Sequence, residues 1–184
     1  MPWEYVSYVV EPLESPPVSE LLAAFRGVYV DGSVLFRAFR AVDDREFDRA
    51  RRLDFRSLDQ TFRTILTRPS VVAALPELEI PDPLEPPPEF RQMSAFGMEG
   101  ELTALLLAGG ASRRFAGTID EARGLTRRFM ESLLGDHLGQ PDWSAGCSST
   151  PWTPWFRDVA WDFTFLLLDQ EARRLFLLCM TDTD

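Results

Sequence analysis

The sequence predicts an α+β fold: an antiparallel sheet that includes a C-terminal β-hairpin, with several helices packed on one face. Three observations point to it. Two apolar runs, within 155–169 and 175–184, flank the short charged connector Gln170-Glu-Ala-Arg-Arg174, the pattern of a buried hairpin. Thr118-Ile-Asp-Glu121 is a capping box that leads Ala122, Leu125, Phe129 and Leu133 along one helical face. The opening segment, Trp3 to Val10, is rich in β-branched and aromatic residues and reads as a strand.

The elements follow in chain order. After the first strand, Ser15-Pro16-Pro17 opens a helix, because proline in the first turn gives up an N–H that would have no partner there. Val18, Leu21, Leu22 and Phe25 supply its apolar stripe. Asp31-Gly32, set between the apolar runs of 28–36, is a hairpin signal, since a type I′ turn needs positive φ at both central residues. A helix running through this stretch is the competing reading. Asp43 with Glu46, and Ser57 with Gln60, head two further helices, the second ended or kinked by Pro69 with about one more turn over 71–75.

Residues 76–90 hold six prolines and five acids and predict an extended connector between an N-terminal part (1–75) and a C-terminal part (91–184). Halves of that size are small, so the expectation is a single domain over 1–184 with the connector laid across its surface. Residues 99–108 read as a helix ended by Gly109-Gly110, and 118–134 as a helix ended by Gly135. Residues 139–154 read as a loop. In the terminal hairpin, pairing 168 with 175 sets Asp162 opposite Thr181 and brings Asp158 to the chain end.

Composition bounds the function. The hydrophobic fraction of 45% is that of a folded chain, and no apolar run nears the roughly 20 residues that span a bilayer. Neither a basic n-region nor an apolar h-region opens the chain, so the expectation is a cytoplasmic protein without a secretory signal. All 19 basic residues are arginine and lysine and asparagine are missing, which fits a G+C-rich bacterial genome. The net charge of −10 argues against a nucleic-acid backbone or an anionic membrane as partner, and is compatible with a basic protein.

Few residues could carry chemistry. His137 is the only histidine, which removes zinc sites built on several histidines and forces any Ser–His or Cys–His mechanism through that residue. Cys147 is read as a loop thiol and Cys179 as a core residue of the last strand. Gly109-Gly110-Ala-Ser-Arg-Arg114 lacks the ending of a P-loop and reads as a helix stop and turn. Asp158, Asp162, Asp182 and Asp184 could gather at the open end of the hairpin and hold Mg²⁺ or Ca²⁺, although Asp158 and Asp162 would lie about 13 Å apart along one strand. Trp143, Trp152 and Trp155 are read as loop residues, and Trp161 as core, sharing a face with Phe163, Phe165 and Leu167.

These residues support an expectation rather than a reaction. The leading one is a non-enzymatic protein-binding module with no cofactor, in concrete form a toxin-neutralising immunity-type protein. Trp143, Trp152, Trp155, Asp158, Asp182 and Asp184 would form the surface for a basic partner. The alternatives are a metal-dependent hydrolase or nuclease using Asp158, Asp162, Asp182 and Asp184, and a small-molecule module walled by the tryptophans.

Overall fold

The computed structural model describes residues 2–54, 57–135 and 143–184. It is an α+β fold built on one antiparallel sheet. The six strands are β1 (Tyr8–Val10), β2 (Ser33–Ala41), β3 (Arg91–Met93), β4 (Trp143–Ser148), β5 (Phe163–Asp169) and β6 (Arg174–Thr181), in the order β1-β2-β6-β5-β4-β3. Strands from both sides of the proline-rich connector therefore share one sheet. Six helices flank it among the described residues: α1 (Pro16–Val28), α2 (Asp44–Leu53), α3 (Leu58–Leu66), α4 (Pro69–Ala73), α5 (Ala95–Ala108) and α6 (Ile119–Leu134).

The C-terminal hairpin has the expected register. Leu168 pairs with Leu175 and Phe163 with Met180. The helices, however, cover both faces of the sheet rather than one. Val18, Leu21 and Phe25 of α1, Leu102 and Leu106 of α5 and Phe129 of α6 pack with Phe165, Leu167, Phe176 and Leu178. Phe47 of α2, Phe62 and Ile65 of α3 and Val71 of α4 pack on the opposite face with Leu166, Leu168, Leu175, Leu177 and Cys179. The physical reason is visible in the strands: 165–168 and 175–180 are buried at every position, so neither face tolerates water. Leu175, Leu177 and Cys179 thus face away from Phe165 and Leu167. Trp161 and Phe163 join the Phe165 face only partly buried, because β5 starts at Phe163.

Local chemistry explains most boundaries. Asp43 and Ser57 cap α2 and α3 by accepting backbone N–H groups, and α6 begins with the full Thr118–Glu121 capping box. Ser94 caps α5 four residues earlier than the sequence suggests, and Pro69 starts the separate helix α4. The first strand is shorter than expected, since Pro2–Tyr5 is a 3₁₀ turn that buries Trp3. Asp31-Gly32 makes no hairpin: α1 runs to Val28, and Val30–Gly32 turn the chain into β2. Glycine is required at position 32 because a Cβ there would overlap the carbonyl of Thr181.

The connector lies on the α2–α4 side. Leu78 and Phe90 are buried in that core, and Ile80 and Leu84 pack against it. Arg63 Nε donates to the Pro88 carbonyl at 2.8 Å, and the Phe90 N–H donates to Asp59 Oδ1 at 2.8 Å. Arg37 pairs with Glu77 at 2.5 Å. The other four connector acids, Glu79, Asp82, Glu85 and Glu89, are exposed and make no ion pair among the described residues. No helix among the described residues is long and apolar enough to cross a membrane.

Candidate functional site

The buried acids are structural braces. Asp162, Asp169 and Asp182 are each no more than 1% exposed, and each accepts backbone N–H groups. Asp182 Oδ1 accepts from Asp31 N–H at 2.9 Å and Oδ2 from Ala111 N–H at 2.8 Å, tying the chain end to the turn before β2 and the loop after α5. Asp162 Oδ2 accepts from the N–H groups of Arg157 and Val159, at 3.2 and 3.0 Å, and Oδ1 from Thr181 Oγ1 at 2.6 Å. Asp169 Oδ1 accepts from Glu171 and Ala172 N–H at 3.0 and 2.8 Å and holds the hairpin turn. A buried carboxylate is retained without large cost when such donors surround it.

These partners separate the four acids that a metal site would need. Asp162 faces the 157–161 turn and Thr181, whereas Asp182 faces the loops that follow α1 and α5. Asp158 and Asp184 are exposed, and Asp158 sits on a turn with φ of +58° rather than on the strand. Asp and Asn tolerate that conformation better than most residues. Among the described residues no group of three or more His, Cys, Asp or Glu is placed to hold a metal ion. Gly110 completes the Asp182 brace, since a Cβ there would overlap Asp182 Oδ2 and the Val28 carbonyl. The glycine-rich turn thus gives one N–H, that of Ala111, to the chain's own carboxylate, while Gly110 N–H donates to the Arg113 carbonyl.

The tryptophans also divide. Trp152 is fully buried in the α2–α4 core, and its Nε1–H donates to Thr164 Oγ1 at 2.8 Å. Trp155 is half-buried, stacked edge-on against Phe156 with ring centroids 5.1 Å apart. Trp143 is a half-buried residue of β4, not of a loop, and pairs with Asp169 at the turn end of the hairpin. Seven residues of β6 separate that end from Thr181, about 23 Å of strand. Trp143 is therefore remote from the C-terminal acids. Cys147 likewise belongs to β4, and burial pushes its thiol up to about 12. Burial does the same to Cys179. His137 lies outside the described residues.

The register gathers a different set at the open end of the sheet. Ser33 pairs with Thr181, Ser148 with Thr164 and Arg91 with Cys147. The 149–162 loop, the chain end, the turn at Asp31 and the end of the acidic connector all leave the sheet there. Glu89 N–H donates to Thr150 Oγ1, which joins connector to loop. Trp155, Asp158, Asp184 and Glu89 are the accessible members of this rim, with Arg157 as an exposed base among them.

On the α1–α6 side lies a cleft of about 860 Å³, walled by α1, the 109–117 loop and the first half of α6. Ala24, Val28, Phe115 and Leu125 form its apolar floor, and Arg113, Arg114 and Arg128 stand at its edge. Only the Gly109–Arg114 string hinted at it in the sequence, because its walls come from three separated segments.

Comparison with known proteins returns no match: no family model fits the chain, no curated protein is significantly similar, and no solved structure matches.

Proposed function

We propose that the protein is a non-enzymatic bacterial module that binds a basic protein partner at the open end of its sheet. The observation that carries this reading is the half-exposed Trp155 on a braced loop at the same end of the sheet from which Asp158, Asp184 and Glu89 emerge, whose carboxylates make no ion pair among the described residues. An aromatic side chain held in place gives up little entropy on binding, and uncompensated carboxylates attract a cationic surface over a Debye length. The exposed connector acids Glu79, Asp82 and Glu85 extend the same field. The oxygens of Asp162 and Asp182 are committed to the protein's own donors, which favours a scaffold role for them over catalysis. A cytoplasmic toxin-neutralising protein is one concrete form of such a module, and two buried free thiols suit a reducing compartment.

The test is affinity capture from the native host with mass spectrometry, followed by binding kinetics on the captured protein. A basic partner is expected, with association slowed by Asp158→Arg plus Asp184→Arg and by added salt. Trp155→Ala should speed dissociation by about 30-fold if that side chain is a hot spot worth about 2 kcal/mol. A partner that is acidic, or that binds all these variants and salt concentrations equally, would overturn the proposal.

A further inference from the structure

The cleft on the α1–α6 side shares no lining residue with the rim around Trp155. We infer that it binds a small organic anion, a molecule with an apolar aromatic or acyl body and a single anionic head group.

Size comes first. A cleft of about 860 Å³ falls within the range that holds drug-sized ligands. Its floor is apolar, so it suits the body of the ligand rather than a polar metabolite.

Charge decides the head group. Three arginines line the cleft against Asp120 and Glu121, in a chain of net charge −10. Arg128 is paired with Glu20 at 2.9 Å. Glu121 is committed to the capping box: its carboxylate accepts from Thr118 N–H and Oγ1–H, which hold it below the usual carboxylate range. Arg113 and Arg114 make no ion pair among the described residues, and Arg114 donates only to the carbonyls of Gly110 and Arg113. Arg113 and Arg114 thus stand beside an apolar floor without an ion-pair partner among the described residues, in a lining whose carboxylates are Asp120 and Glu121. Guanidinium forks match carboxylate, sulfonate or phosphate oxygens. Asp120 and Glu121 disfavour a second negative charge on the ligand.

The walls are fixed and left open. Ala111 N–H is held by Asp182, and Gly110 N–H donates to the Arg113 carbonyl at 3.0 Å, so the loop that carries the arginines is braced. Gly27 of α1 and Gly124 of α6 both line the cleft. A Cβ at Gly27 would meet nothing within 4 Å, and one at Gly124 only the tip of Arg128 at 3.2 Å. Glycine weakens a helix relative to alanine, and no packing around these two positions demands it. Their effect is room and bare backbone inside the cleft.

The test uses two fluorescent probes on the full chain: 1-anilinonaphthalene-8-sulfonate and its uncharged relative N-phenyl-1-naphthylamine. The sulfonate should bind one-to-one and about tenfold more tightly than the neutral probe. Arg113→Glu should weaken the sulfonate about fivefold or more and leave the neutral probe within about twofold. Gly124→Phe should abolish both while the melting temperature does not fall. Gly27→Leu, on the other wall, is the second filler if the first disturbs α6. Trp155→Ala should leave both probes unaffected, so loss of the partner surface and loss of the cleft are read separately. Sulfonate binding that survives both fillers, or equal affinity for the two probes with no response to Arg113→Glu, would overturn the inference.

Discussion

Replacing Asp182 by alanine is expected to lower the unfolding free energy by about 2–4 kcal/mol. The side chain is 0% exposed and accepts two backbone N–H groups, at 2.9 and 2.8 Å. Each donor left without a partner costs about 1–3 kcal/mol. Asp31 itself is exposed and Ala111 half-buried, so water can reach part of the vacated site and the lower half of that range applies. Asp182→Asn keeps one acceptor oxygen but turns an amide N–H toward the second donor, and should cost about 1–2 kcal/mol. Asp184→Ala, at an exposed position two residues on, should stay within about 0.5 kcal/mol of the parent. Urea unfolding separates these outcomes. With a slope of about 2 kcal/mol per molar, Asp182→Ala moves the midpoint down by about 1–2 M and Asp184→Ala does not move it visibly. Equal midpoints for the two variants would refute the assignment of Asp182 as a brace.

Phe165 is fully buried whereas Phe163 is half-buried at the strand start, so Phe165→Ala should cost about 3–5 kcal/mol in thermal or urea unfolding, and Phe163→Ala clearly less. Neither Cys147 nor Cys179 should react with a thiol reagent in the native protein at pH 8, and both should react in denaturant, because burial raises both thiols to about 12. The folded state holds those protons longer than the unfolded chain. Stability from each thiol is therefore complete below its unfolded value of about 8.5 and is lost as pH rises toward 12, by about 1.4 kcal/mol per pH unit per thiol. Unfolding midpoints followed from pH 7 to 11 read that slope.

The hairpin register was legible because two apolar runs of fixed length around a short connector admit few pairings, and Asp162 does stand opposite Thr181. The α6 helix was legible from its capping box. Asp31-Gly32 misled because the same turn chemistry also serves a helix-to-strand corner, and the long-range partner that fixes this one, Asp182, lies 151 residues away. The helices expected on one face missed the second layer for a related reason: apolar runs buried at every position need cover on both sides, and single-strand alternation does not reveal that. Asp169 went unread as a brace because it ends an apolar run like any turn residue. Trp152 looked like a loop tryptophan and is core, since a loop can bury a large ring when its indole N–H finds an acceptor. The acids at 162 and 182 were read as candidate metal ligands; the donors of Asp182 are backbone groups far along the chain, which spacing alone does not disclose, while those of Asp162 include the turn just before it.

Amide hydrogen exchange tests the brace role of the buried carboxylates most directly. The N–H groups of Asp31 and Ala111, held by Asp182, and of Val159, held by Asp162, should exchange slowly in the parent protein. Asp182→Asn should speed exchange at Asp31 or Ala111 and leave Val159 unchanged, while Asp162→Asn should do the reverse. Exchange at these amides that is fast in the parent, or that stays the same in both variants, would contradict the role assigned to the two aspartates and remove the rigid rim on which the proposed binding surface stands.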